Sequence, residues 1–200
     1  MTESEWQCSR DAGLMLDYIW ERFGALPRTI DVRFGGDMRD IIRPCVVPVE
    51  LDRALHRYYL ASCRAIWDLL PQEASRRGVE LAEQFLEGAV SADDVSEYNW
   101  HVEGAAFCID YNVDPEAIDR WIAEVRGLPE SKLRSMLHPT EVAWEIEPRD
   151  LLMRAAYFAD YAMIYPSLTP KGPPSDTYRP FLSAEMLRKF VGFPFPTATE

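Results

Sequence analysis

The sequence predicts an all-α fold: a multi-helix bundle with a short irregular or β-hairpin insert and a proline-rich C-terminal arm. Three observations predict it. Apolar residues recur at helical spacing through most of the chain, N-capping signals precede those runs, and β-branched alternation is confined to residues 25–49. With 48% hydrophobic residues, 200 residues suffice to bury one core with no disulfide or metal staple. The predicted organisation is a helical domain over 1–165, with the insert at 25–49. An arm over 166–200 then carries a short helix that packs on the domain.

Taken in order, Thr2 and Glu5 have capping-box spacing, which predicts a short first helix carrying Trp6. Asp11 can cap a second helix running to Phe23, with Leu14, Met15, Tyr18, Ile19 and Phe23 inward and Gly24 ending it. Between Ala25 and Val49 the pattern changes. Thr29–Phe34 alternates as a strand does, Gly35-Gly36 signals a turn, and Pro44 and Pro48 confine any second strand to an edge.

Leu51–Leu86 reads as two helices joined at Pro71, and this pair is the expected scaffold. At 100° per residue, Leu51, Leu55, Tyr58, Ser62, Ile66 and Leu69 share a face that Tyr59, Cys63, Trp67 and Leu70 extend. Only Arg53, Arg57, Arg64 and Asp68 form a polar strip, so the helix should be touched from several sides. The next helix turns Ala74, Gly78, Leu81, Ala82 and Phe85 inward, with small Ala74 and Gly78 allowing close approach.

Gly88 closes that helix, and Ser91 with Asp94 caps another that runs to about Tyr111 and contains Val95, Tyr98, Trp100, Val102, Ala105, Ala106, Phe107 and Ile109. Asp114-Pro115 opens a helix with Ile118, Trp121, Ile122 and Val125 on its apolar face, ended by Gly127 and Pro129. A short helix is expected over Ser131–Leu137, and a Thr140-capped turn before Pro148. Arg149–Ile164 is the last long helix, with Leu151, Leu152, Ala155, Phe158, Ala159 and Ala162 inward. The five prolines between Pro166 and Pro180 predict an extended connector, and Ser183–Val191 a closing helix.

Several segments also match a recurrent pattern. Thr2, Glu3, Glu5 and Trp6 match a Thr-Glu-Ala-Glu-Trp-type start. Tyr59, Ala61, Cys63, Arg64, Ile66, Trp67, Leu69 and Leu70 match a helix ending Cys-Arg-Arg-Ile-Trp-His-Leu-Leu. Ser75, Arg76, Arg77, Val79, Glu80, Ala82 and Glu83 follow Ser-Arg-Arg-Ala-Val-Glu-Val-Ala-Glu, and Leu187, Arg188, Val191, Gly192, Pro194, Phe195 and Pro196 match a Gly-Asn-Pro-Phe-Arg-Pro-type end. On these residues the chain resembles a family of uncharacterised bacterial helical proteins. Of that family's Cys-Ala-Cys-Cys run it retains Cys63 alone, with Leu60 and Ser62 nearby. The resemblance implies a helical architecture and no particular activity.

Charge restricts the function classes. The net charge is −12, and Gly78–Asp119 holds eleven acidic residues with no Lys or Arg, which repels a phosphate backbone and attracts a basic protein surface. The alternative is a set of solvated helix faces that maintain solubility. Four cysteines without a CxxC pair fit reduced thiols, and no apolar run approaches the ~18 residues of a membrane span, so a cytoplasmic protein is expected. No P-loop, nucleophile elbow, HExxH, EF-hand or dinucleotide fingerprint occurs.

The favoured reading is a non-enzymatic protein-interaction module that binds another protein or self-associates, without cofactor, nucleic acid or membrane. Its candidate contact residues are the Tyr157, Tyr161 and Tyr165 stripe and the acidic Asp93, Asp94 and Glu97. The alternative is a metal-binding or Cys/His-dependent enzyme using His56, Cys63, His101 and Cys108. Within each helix the His and Cys are seven residues apart, a rise of ~10.5 Å, so a dyad would need partners from different helices. Asp52 with His56 and Glu97 with His101 have i, i+4 spacing and read as helix-surface links. The parallel between HRYYLASC and HVEGAAFC also admits an old hairpin duplication.

Overall fold

The computed structural model describes residues 1–22, 48–138, 146–164 and 174–194. Among the described residues every regular element is helical. The expected insert lies outside them except for Pro48 and Val49, as do the predicted turn at Thr140, Tyr165, the stretch 166–173 and the last six residues.

At several helix starts a side chain satisfies a free N–H group, whereas the helices opening at Val49, Glu73 and Glu130 begin without a side-chain cap. Thr2 and Glu5 form a reciprocal capping box at α1 (Glu3–Cys8), and Asp11 Oδ1 accepts from the Leu14 N–H at 3.1 Å at the start of α2 (Ala12–Arg22). Leu14 itself is exposed, and the inward residues of α2 are Met15, Leu16, Ile19 and Trp20, which corrects the predicted face by one position. α3 (Val49–Ala65) stops short of the predicted end. Trp67–Leu69 turns more tightly as a 3-10 segment before α4 (Glu73–Leu86), because the chain must reverse ahead of Pro71. Gly88, at φ +77°, closes α4: the Ala89 N–H reaches the Gln84 carbonyl at 2.8 Å and the Gly88 N–H that of Phe85 at 2.9 Å.

Ser91 and Asp94 form a second capping box at α5 (Ala92–Asp110), and Asp114 accepts from the Ala117 N–H at 3.0 Å to start α6 (Pro115–Arg126) with proline in its first turn. α7 (Glu130–Met136) and α8 (Pro148–Ile164) follow. Asp176–Phe181 is a 3-10 segment containing Pro180, so this part of the predicted extended connector is helical instead. Ser183 then caps α9 (Ala184–Val191).

The helix touched on most sides is α8, which packs against α3, α4, α5 and α6. Ten of its residues are buried, and alanines at 155, 156, 159 and 162 let neighbours approach its backbone. α3 is also enclosed, by α4, α8 and α9, while Arg53, Arg57, Arg64 and Asp68 form the predicted exposed strip. Tyr59 on α3 meets Tyr161 of α8 edge-on at 5.4 Å, and Phe158 carries the aromatic layer on to Phe181 at 5.7 Å. Burying side chains of this size contributes ~1.5–3 kcal/mol each. Gly78 marks the tightest approach: a Cβ there would collide with Val102 of α5 and lie 2.9 Å from Met163 Sδ of α8. The C-terminal helix closes on the N-terminus, where Arg188 Nη1 donates to the Ser9 carbonyl at 2.7 Å.

Candidate functional site

The packing of α5 decides which of its residues are available. Val95, Val102, Ala106 and Ile109 recur at helical spacing and are buried against α4 and α8. Trp100, Phe107 and Tyr111 fall at i, i+7 and i+11, on the opposite side of the cylinder. They are 76%, 40% and 73% exposed, and Val113 just beyond the helix is 66% exposed. Three aromatic rings thus form one outward stripe. Solvent-facing apolar groups in a row are uncommon on a surface that contacts only water.

Between Trp100 and Phe107 the stripe contains Gly104, and a Cβ built there would meet nothing within 4 Å. A mid-helix glycine costs roughly 0.5–1 kcal/mol relative to alanine. No packing requirement explains this one, in contrast to Gly78. Its effect on the surface is a notch in the aromatic row, open to the helix backbone.

The far end of the stripe is fixed by α8. Phe107 meets Tyr111 at 5.8 Å and Tyr157 at 6.0 Å, both edge-on, and the Tyr157 hydroxyl donates to Asp110 Oδ2 at 2.8 Å. Burial raises the Tyr157 phenol pKa, and the carboxylate it donates to adds to the effect. Arg149 at the start of α8 donates to the carbonyls of Ile109 and Asp110 at 3.0 and 3.3 Å, which adds a side-chain cation to the acceptors at the end of α5, where the Ile109 carbonyl also accepts from the Asn112 N–H. Asn112 takes a left-handed turn at φ 55°, and the Val113 N–H bonds back to the Cys108 carbonyl at 3.0 Å.

The stripe is bordered by carboxylates. Asp93, Glu97, Glu103 and Asp110 lie on the outer half of α5 with the aromatic rings, and Asp93, Glu97 and Asp110 are exposed. Asp94 is committed to the capping box, where its interactions with Ser91 hold its pKa low. Of the tyrosine stripe, Tyr157 joins the α5 surface, Tyr161 is buried among Tyr59, Phe158 and Tyr178, and Tyr165 lies outside the described residues.

The His and Cys candidates do not converge. His56 and Cys63 are buried in α3, whereas His101 is exposed and Cys108 half-buried on α5. α4 and α8 contact both helices and stand between them. His56 therefore lies in the core and not on the helix surface, where its spacing from Asp52 had placed it. Burial lowers its pKa to about 4, against the opposing pull of the Ala162 and Met163 backbone. Burial likewise pushes the Cys63 thiol well up, which keeps it protonated and unreactive. The two histidines of the suggested duplication thus occupy opposite environments. Among the described residues no group of His, Cys, Asp and Glu side chains is arranged to hold a metal ion, and no helix is long and apolar enough to cross a membrane.

Sequence reasoning placed Trp100 and Phe107 on α5 without recognising them as surface groups. A usable signal was present. Asp93, Glu97 and Glu103 lie within about 60° of Trp100 on the helical wheel, and a core face does not carry unpaired carboxylates. Compared with known proteins, the chain matches no family model, no curated protein and no solved structure.

Proposed function

We propose that the protein is a non-enzymatic protein-interaction module whose working surface is the outer face of α5 extended by Tyr157. The observation that carries this reading is the aligned exposure of Trp100, Phe107 and Tyr111 opposite the buried face of the same helix. Aromatic residues are enriched at the centres of protein interfaces and dominate their energetics. The acidic border disfavours a nucleic-acid backbone and favours a protein partner in the cytoplasm. The resemblance of the α3 and α4 sequences to helices of a bacterial helical family supports a scaffold role for them, which leaves α5 free to present the surface. The Cys/His alternative draws no support from the geometry, because its four residues sit on opposite sides of the α4–α8 pair and its buried thiol stays protonated.

The test is co-purification from native lysate of the source cells, comparing the unaltered chain with Trp100→Ser/Tyr111→Ser. Because both side chains are exposed, the double variant should keep its fold and its helical circular dichroism. The reading expects a stoichiometric partner that the variant loses. A partner retained in full by the variant moves the working surface elsewhere.

A further inference from the structure

We infer that the face of α5 from Asp93 to Tyr111 is a docking surface for a basic, amphipathic segment of another protein, which seats an apolar side chain over Gly104. This deepens the interaction reading and rests on it.

Three features of the face specify the occupant. The first is charge. Asp93, Glu97 and Glu103 border the rings, and no Lys or Arg occurs from Gly78 to Asp119. Of the α8 cations, Arg149 is engaged with the carbonyls of Ile109 and Asp110. A second copy of the chain would bring an identical acidic face and a net charge of −12, so like charges oppose self-association through this surface. Lys and Arg side chains instead gain paired carboxylates along both flanks. They also gain a cation–π surface on Trp100 and Tyr111.

The second is the apolar row. Rings at i, i+7 and i+11 run along the axis of α5, which matches a partner helix laid lengthwise with its own apolar positions at helical spacing. A purely polar polycation would leave Trp100 and Tyr111 facing water. The third is the notch. Gly104 lies between Trp100 and Phe107 on the same face, and the space where its Cβ would stand is open. It leaves the helix backbone open to the approach of a partner's apolar side chain, an approach that any larger residue at 104 would block.

The experiment uses the full chain and three fluorescein-labelled 18-residue probe peptides, read by anisotropy. One places Leu and Lys as an amphipathic helix, the second replaces Lys by Glu, and the third keeps Lys but replaces Leu by Ser. The inference expects the Leu/Lys peptide to bind at least tenfold tighter than either of the others. Trp100→Ser and Gly104→Leu should each weaken it by about tenfold or more. Glu97→Gln/Glu103→Gln should weaken it several-fold and flatten its salt dependence.

Three results overturn the inference. One is equal binding of the Leu/Lys and Lys/Ser peptides, which would reduce the face to bulk charge. Another is Leu/Lys binding unchanged in both Trp100→Ser and Gly104→Leu. The third is a dimer of the unaltered chain, seen by sedimentation, that Trp100→Ser dissociates, because the occupant would then be a second copy. Failure here is separable from failure of the interaction reading. A native partner that depends on Trp100 and Tyr111 but is not displaced by the Leu/Lys peptide leaves that reading intact and likewise overturns the basic amphipathic segment as the occupant.

Discussion

Two glycines in neighbouring helices should respond differently to the same substitution, Gly104→Ala stabilising the fold and Gly78→Ala leaving it unchanged or weaker. Both Gly78 and Gly104 are mid-helix, so replacement by alanine removes the same backbone-entropy penalty and contributes ~1 kcal/mol of stability at either site. At Gly104 nothing lies within 4 Å of the new methyl group, and that gain should appear undiminished. At Gly78 the methyl group collides with Val102, whose β-branched side chain has little rotamer freedom, and crowds Met163 Sδ at 2.9 Å. Overpacking of this kind costs ~1–3 kcal/mol, so Gly78→Ala should be neutral to clearly destabilising. The difference between the two variants cancels the propensity gain and isolates the packing cost at the α4–α5–α8 junction, about 1–3 kcal/mol. Urea denaturation followed at 222 nm measures it, as a lower midpoint for Gly78→Ala than for Gly104→Ala at equal slope. Equal midpoints would refute the close approach of the three helices at Gly78.

The buried imidazole sets a pH dependence. His56 has its folded pKa depressed to about 4 from an ordinary 6.5, so its contribution is full above pH 6.5 and is lost as pH falls from there toward 4, the range in which the unfolded chain holds the proton and the folded chain does not. At ~1.4 kcal/mol per pKa unit this loss is on the order of 3 kcal/mol, and His56→Gln should flatten that part of a stability–pH curve measured by urea titration. Ser91→Ala removes the capping box of α5 and should cost ~1 kcal/mol, read as a melting temperature lower by about 2–4 °C. By contrast, Trp100→Ser removes a side chain that is 76% exposed and should change stability by no more than ~0.5 kcal/mol, checked in the same melts.

The parts of the fold legible in the sequence are those set by local chemistry. Thr2 with Glu5, Ser91 with Asp94, and Asp114-Pro115 marked helix starts because capping depends on residues three or four apart. Gly78 signalled close packing because nothing larger fits between Val102 and Met163. The inward positions of α8 were legible because Leu151, Leu152, Ala155, Phe158, Ala159 and Ala162 recur at helical spacing, while the burial of Ala156, Tyr161, Met163 and Ile164 reflects neighbours on its other sides. α5 carries apolar residues on both sides, so periodicity alone could not say whether Trp100 or Val102 meets the core. The neighbouring carboxylates settle that question, and weighing them would have exposed the site. Leu14 in α2 was placed inward for the same reason, because Leu14, Leu16 and Trp20 spread apolar residues around most of that helix. The burial of His56 was not legible at all: it depends on where the end of α8 lies in space, and i, i+4 spacing from Asp52 pointed instead to a surface link. The early end of α3 reflects a chain reversal imposed by α4, which apolar periodicity carries straight through.

Amide hydrogen exchange on the purified complex with a co-purified native partner tests the central claim most directly. If the outer face of α5 is the working surface, binding slows exchange across Asp93–Tyr111 and leaves α9, remote from that face, unchanged. Slowed exchange confined to α9 or α2, with α5 exchanging as in the free chain, would contradict it.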